Sequence, residues 1–200
     1  MSAFSARFDA ALSFAAVAHR HQVRKGTDAP GVPYIIHPMH VATILIRHGF
    51  AEDLVIAGLL HDTVEDCDVS LESIANDFGA RVAELVDAVT EKKVDAPGGP
   101  KRAWRVRKQE QLAQLDGASA DVAALKAADA LHNASCTVTD VERQGEAVWR
   151  RFNASASDTV WYYGEIARAT GRLLGEAHPL VCELVDAVAR LARASQTSGS

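Results

Sequence analysis

Residues 52–66, Glu-Asp-Leu-Val-Ile-Ala-Gly-Leu-Leu-His-Asp-Thr-Val-Glu-Asp, decide the fold. From Leu54 to Leu60 the segment is apolar in every direction, and a helix of that kind is buried on all sides. A helix over Glu52–Glu65 therefore needs neighbours all round it, and the flanking sequence offers only helices. Towards the N-terminus, His37 to His48 reads as a helix that Gly49 ends. Before it, Phe4, Phe8, Leu12 and Ala15 recur at three- and four-residue spacing on one helix face. The intervening stretch from Arg24 to Pro33 holds Gly26, Pro30, Gly31 and Pro33, and reads as a loop.

Towards the C-terminus, Ser70 is placed to cap a short helix closing at Gly79, and Arg81–Thr90 follows. The pattern breaks over Lys92–Pro100. Helical spacing resumes over Lys101–Leu115, Asp121–Cys136, Thr159–Leu174 and His178–Ala194. No alternating strand, repeat or linker interrupts it. These readings predict an all-α fold, a single compact helical bundle of about nine to ten helices over residues 1–193, with 194–200 a disordered tail.

With 200 residues, the chain is long enough to bury a core without disulfides or a structural metal. Its formal charge of −5 argues against a general nucleic-acid or anionic-membrane binder, while leaving room for a small anion held by a local basic cluster. Cys67, Cys136 and Cys182 are odd in number and widely spaced, which suggests neither a disulfide framework nor a thiolate zinc site. No apolar run reaches membrane-spanning length and the N-terminus lacks signal-peptide order. A cytoplasmic, soluble protein is expected.

The chemistry gathers where the apolar helix ends. His61, Asp62, Glu65 and Asp66 stand at i, i+1, i+4 and i+5, one sector of a helix that turns about 100° per residue. Three carboxylates beside a histidine repel one another unless a cation neutralises them, so the cluster suggests a metal site. A helix whose last turns simply emerge into solvent is the plain alternative. A second cluster, Asp129, His132 and Asn133 at i, i+3 and i+4, shares one face of another apolar helix. His37, in Tyr-Ile-Ile-His-Pro, is either a third candidate or a satisfied core histidine. Two basic stretches, Arg24-Lys25-Gly26 and the run Lys101–Lys108 with Trp104 inside it, read as phosphate contacts or as solvated faces.

Together these motifs resemble a known family. A histidine upstream, His61-Asp62, and an aspartate downstream resemble the HD superfamily of metal-dependent phosphohydrolases. Arg24-Lys25-Gly, Tyr34-Ile-Ile-His37-Pro, His61-Asp-Thr-Val-Glu-Asp66 and Lys126-Ala-Ala-Asp129-Ala-Leu-His-Asn133 follow the order found in the hydrolase domain of RelA/SpoT homologues, over about residues 5 to 175. There is no room for the synthetase domain of the long members, so the chain looks like a stand-alone small alarmone hydrolase.

The resemblance implies Mn²⁺-dependent removal of the 3′-pyrophosphate from ppGpp and pppGpp, giving GDP or GTP and pyrophosphate, as in alarmone degradation during the stringent response. It implies His37, His61, Asp62 and Asp129 as metal ligands and Glu65 and Asp66 as catalytic residues. Arg24, Lys25, Asn133 and Tyr163 would contact the nucleotide, with Arg105 and Lys108 as further phosphate residues. The partner is a small anionic nucleotide, with no nucleic acid or membrane, and the protein a monomer or homodimer. Two family arginines are replaced here, by Ala130 and Ser135, which leaves an adenine alarmone, NADPH or another nucleotide as the alternative substrate.

Overall fold

A computed structural model describes residues 5–24, 31–95 and 99–197. The chain divides into two units, Met1–Glu91 and Lys92–Ser200. Among the described residues the fold is all-α, and extended pairing is limited to the bridges Val23–Pro33 and Val94–Lys101.

The first unit holds α1 (Ala6–Ala18), α2 (Ile36–Arg47), α3 (Glu52–Leu60), α4 (Thr63–Asp66), α5 (Leu71–Phe78) and α6 (Ala80–Val89). Helix α3 packs against α1, α2 and α6, and every residue from Leu54 to Leu60 is buried, as its all-round apolar surface requires. The predicted punctuation is present after α2 and at both ends of α5. Gly49 takes φ +75° after α2, Ser70 Oγ accepts the Ser73 N–H at 3.1 Å, and Gly79 takes φ +95° after α5. Phe8, Leu12 and Ala15 share the inward side of α1, while Phe4 lies outside the described residues.

The predicted helix over Glu52–Glu65 is broken. α3 stops at Leu60, His61 is its C-cap, and Asp62 (φ −95°, ψ −6°) opens α4. The break is shallow, since Asp66 N still donates to Asp62 O at 2.9 Å. Its cause lies in side chains that take backbone acceptors: His61 Nδ1 meets Gly58 O at 2.9 Å and Thr63 Oγ1 donates to Leu60 O at 2.7 Å.

Gly58 lets α2 and α3 approach closely. A Cβ there would stand 2.8 Å from Leu45 Cδ1, 3.5 Å from Val41 Cγ1 and 3.6 Å from Ala42 Cα, and Leu45 is fully buried. Gly58→Val therefore overpacks this contact and is expected to cost about 1–3 kcal/mol of stability, read as a lowered urea midpoint at unchanged slope.

The second unit holds α7 (Trp104–Leu115), α8 (Ala120–Gln144), a 3-10 helix (Gly145–Arg151), α9 (Ala156–Leu174) and α10 (Pro179–Thr197). α8 is its central element and packs on α9, α10 and the 3-10 helix. α8 continues eight residues past its predicted end at Cys136. The run Thr137-Val-Thr is a poor helix former, yet Thr137 and Thr139 return their hydroxyls to the carbonyls of Asn133 and Ser135, while Thr137, Val138 and Val141 are buried. α10 likewise runs to Thr197, so residues 194–197, expected in the tail, are helical. No helix among the described residues is long and apolar enough to cross a membrane.

Candidate metal centre

His37 enters the first turn of α2 and His61 closes α3, so the close packing of the two helices brings their imidazoles together. Both are buried, and their Nε2 atoms lie 3.2 Å apart. The break after Leu60 adds Asp62 to the pair: its Oδ2 is 3.3 Å from His37 Nε2 and its Oδ1 is 3.2 Å from His61 Nε2.

The tautomer of the neutral His61 ring follows from its other nitrogen. A carbonyl only accepts, so Nδ1 beside Gly58 O carries a proton, and Nε2 of the neutral ring is a bare lone pair. That lone pair faces the His37 imidazole and an Asp62 oxygen, an arrangement that either a proton on His37 Nε2 or a cation among the three groups satisfies. Two imidazole nitrogens and a carboxylate converging in this way are the donor set of a divalent transition metal, and the residues present fit one. Burial alone would push the Asp62 carboxyl up. The His61 imidazole, the His37 ring and the Tyr34 hydroxyl outweigh it and hold the group well below the usual carboxylate range.

Glu65 and Asp66 sit on α4, one turn beyond Asp62. Glu65 Oε2 accepts the Glu91 N–H at 3.0 Å, which fixes that carboxylate within the same unit. Asp66 is exposed, and its backbone carbonyl accepts from Gln22 Nε2 at 2.7 Å. Arg24, half-buried, continues the strand-like bridge after α1 by donating its N–H to Val32 O, and Lys25 lies outside the described residues. Neighbouring Cys67 is not an activated thiol: burial and the Asp66 charge push it up to about 11.

In the second unit Asp129 is half-buried on α8, with Asn133 Nδ2 donating to its Oδ1 at 2.6 Å and the buried Lys126 Nζ 4.0 Å from its Oδ2. Asn133 thus holds Asp129, a role its expected sugar contact did not anticipate. Ala130 is buried, so the replacement of the family arginine there falls on a packed position, while Ser135 is half-buried. The basic run is helical only from Trp104, because Lys101 pairs with Val94 and Arg102 with Lys93 across a bridge. Arg105 bonds Asp158 at 2.8 Å and lies over the Trp161 ring, 3.3 Å from its centroid. Lys108 donates to Gln111 Oε1 at 3.1 Å and lies 4.8 Å from the Tyr162 centroid; Tyr163 packs on Tyr162 and is half-buried. Trp104 meets Tyr162 edge-on rather than standing open for a base.

The HD-domain pattern matches residues 11–160, most of the chain. This chain belongs to the HD-domain family. The mouse (Mus musculus) guanosine-3′,5′-bis(diphosphate) 3′-pyrophosphohydrolase MESH1 is 42% identical over 135 residues, which cover 66% of this HD-domain protein and 70% of the relative. Its fold is shared with a metazoan ortholog of SpoT, described as hydrolysing ppGpp and acting in starvation responses, at TM-score 0.69 and 26% identity over 100% of this chain and 99% of that one. The Listeria monocytogenes EGD-e protein lmo0812 aligns at TM-score 0.67 and 34% identity, covering 76% and 96% of the two chains. The resemblance to RelA/SpoT hydrolase domains is upheld, and the protein is an HD-domain hydrolase whose fold implies a divalent metal.

Sequence reasoning missed Tyr34 and Gln22 as parts of this centre. Tyr34 Oη donates to Asp62 Oδ2 at 2.6 Å, and Gln22 spans from the end of α1 to the turn after α4. The signal for Tyr34 was its position three residues before His37; nothing marked Gln22.

Proposed function

We propose that this protein hydrolyses the 3′-pyrophosphate of ppGpp and pppGpp, releasing GDP or GTP and pyrophosphate, with Mn²⁺ as its metal. Hydrolysis is supported by the convergence of two buried imidazole nitrogens, from His37 and His61, with the Asp62 carboxylate, a donor set that fits a divalent metal. The substrate class follows from the 42% identity to a 3′-pyrophosphohydrolase. Asp129 is the fourth ligand in this reading, as the resemblance implies. The family pattern runs across the boundary at Glu91, which supports residues 1–193 working as one hydrolase domain. The role is alarmone degradation in the stringent response, in the cytoplasm, by a monomer or homodimer.

Bound there, Mn²⁺ supplies Lewis acidity towards the phosphoryl group and acidifies a water. The protein's own carboxylates do the rest. Glu65, its other oxygen tied to the Glu91 amide, takes a proton from the attacking water, and Asp66 orients that water. The water oxygen joins phosphorus, the bond from phosphorus to the 3′-oxygen breaks, and that oxygen leaves with a proton as a hydroxyl. In this reading Arg24 and Lys25 contact the phosphates and base, Asn133 the sugar and Tyr163 the nucleotide, as the resemblance implies. Arg105 and Lys108 are weaker phosphate residues because Asp158 and Gln111 already engage them.

Metal-stripped protein is expected to be inactive on ppGpp and to release GDP and pyrophosphate in equal amounts once Mn²⁺ is restored, followed by chromatography of both products. Orthophosphate, or turnover only of an adenine nucleotide or NADPH, would replace this substrate with the alternative that Ala130 and Ser135 leave open.

A further inference from the structure

We infer that Tyr34 is a positioning residue for the metal ligand Asp62, locked in place by His19 and Gln22; this rests on the reading of His37, His61 and Asp62 as a metal centre. Asp62 lies in the shallow break between α3 and α4, and its carboxylate makes no capping bond to the backbone of α4. The orientation of the carboxylate must therefore come from outside its own element. Tyr34, from the segment leading into α2, provides it: Oη donates to Oδ2 at 2.6 Å, while Oδ2 and Oδ1 face the two imidazoles. The same residue places His37, whose N–H donates to Tyr34 O at 2.9 Å and whose ring meets the Tyr34 ring edge-on at 5.8 Å.

Tyr34 is itself braced. Its N–H donates to Gln22 O at 2.9 Å, and its ring packs on the buried His19 ring with centroids 4.8 Å apart. Gln22 closes the loop: Nε2 donates to Asp66 O at 2.7 Å and Oε1 accepts from His19 Nδ1 at 2.8 Å. Cys67 Sγ lies 3.1 Å from the same His19 nitrogen. The end of α1, the approach to α2 and the turn after α4 are thereby tied together behind Asp62. Tyr34 and Gln22 are each bonded to a residue of the proposed site, Asp62 and Asp66, and His19 is bonded to Gln22.

A hydrogen bond behind a ligand tunes metal affinity by about 10–100-fold. Tyr34→Phe keeps the ring on His19 and removes only the hydroxyl. It is expected to weaken binding of Mn²⁺ alone, measured by titration calorimetry without nucleotide, by about 10-fold or more. Excess Mn²⁺ should restore kcat, with KM for ppGpp unchanged, a pattern that general loss of structure does not produce. Gln22→Ala, which leaves the hydroxyl and the backbone bond to Tyr34 but removes the side-chain hold on His19 and on Asp66 O, should shift Mn²⁺ affinity in the same direction and serves if Tyr34→Phe does not fold by circular dichroism. Wild-type Mn²⁺ affinity in the folded variants would overturn the inference alone. Weakened Mn²⁺ binding in a protein that leaves ppGpp untouched would uphold it and discard the substrate. A wild-type protein that takes up no Mn²⁺ would overturn both.

Discussion

His61→Ala is expected to abolish Mn²⁺ uptake and to lower ppGpp turnover by more than about 100-fold, the upper figure for groups that merely stand behind a ligand. The ring supplies one of the two buried nitrogens, and its geometry leaves no substitute: Nδ1 is committed to Gly58 O, so Nε2 alone faces the cluster. The variant also leaves the Gly58 carbonyl buried without that partner, a loss of about 1–3 kcal/mol. Circular dichroism at 25 °C and metal titration on the same sample separate the two effects. A folded variant that still binds Mn²⁺ with wild-type affinity would remove His61 from the centre.

The second large effect falls on α4. Glu65→Ala with Asp66→Ala is expected to lower kcat by about 10²- to 10⁴-fold, the range for losing a positioned acid–base group, while Mn²⁺ binding persists. Because Glu65 Oε2 also takes the Glu91 N–H, alanine at 65 confounds chemistry with structure. Glu65→Gln resolves this: the amide oxygen still accepts that N–H, but the side chain is no longer a base. Turnover lost to the same degree in Glu65→Gln and Glu65→Ala assigns the effect to proton transfer. Wild-type kcat in the double variant would leave the water without either proposed residue.

Much of the first unit was legible because its signals are local. The all-round apolar run of α3, the glycines after α2 and α5 and the Ser70 cap each state their structure within a few residues. The ligand motifs were legible too, as types at a spacing. What periodicity could not show was the break after Leu60, since the competing hydrogen bonds of His61 and Thr63 belong to side chains whose pattern still fits a helix. The one-sector picture of His61, Asp62, Glu65 and Asp66 gives way to a cap, a turn and a separate short helix. The length of α8 was hidden for the opposite reason, because burial of Thr137, Val138 and Val141 overrides a weak local preference. The start of α9 was likewise overlooked at Ser155, whose Oγ accepts the Asp158 N–H at 3.0 Å inside a stretch rich in alanine and serine. The basic run was legible only as charge: its density does not say which cations already have partners, and Arg105 has both Asp158 and Trp161.

The burial of α3 has an electrical side. Peptide dipoles in a helix align, and the C-terminal end carries the equivalent of roughly half a negative charge. Water around an exposed helix dissipates that pole, but α3 is enclosed from Leu54 to its last residue, Leu60. The pole emerges where His61 and Asp62 stand, and the Gly58 and Leu60 carbonyls that contribute to it are held in fixed directions by His61 and Thr63. The most hydrophobic helix of the first unit thus acts as a conductor, delivering negative potential to the place where its side chains turn polar. Positive charge is favoured at that end of α3 before any ionised carboxylate is counted.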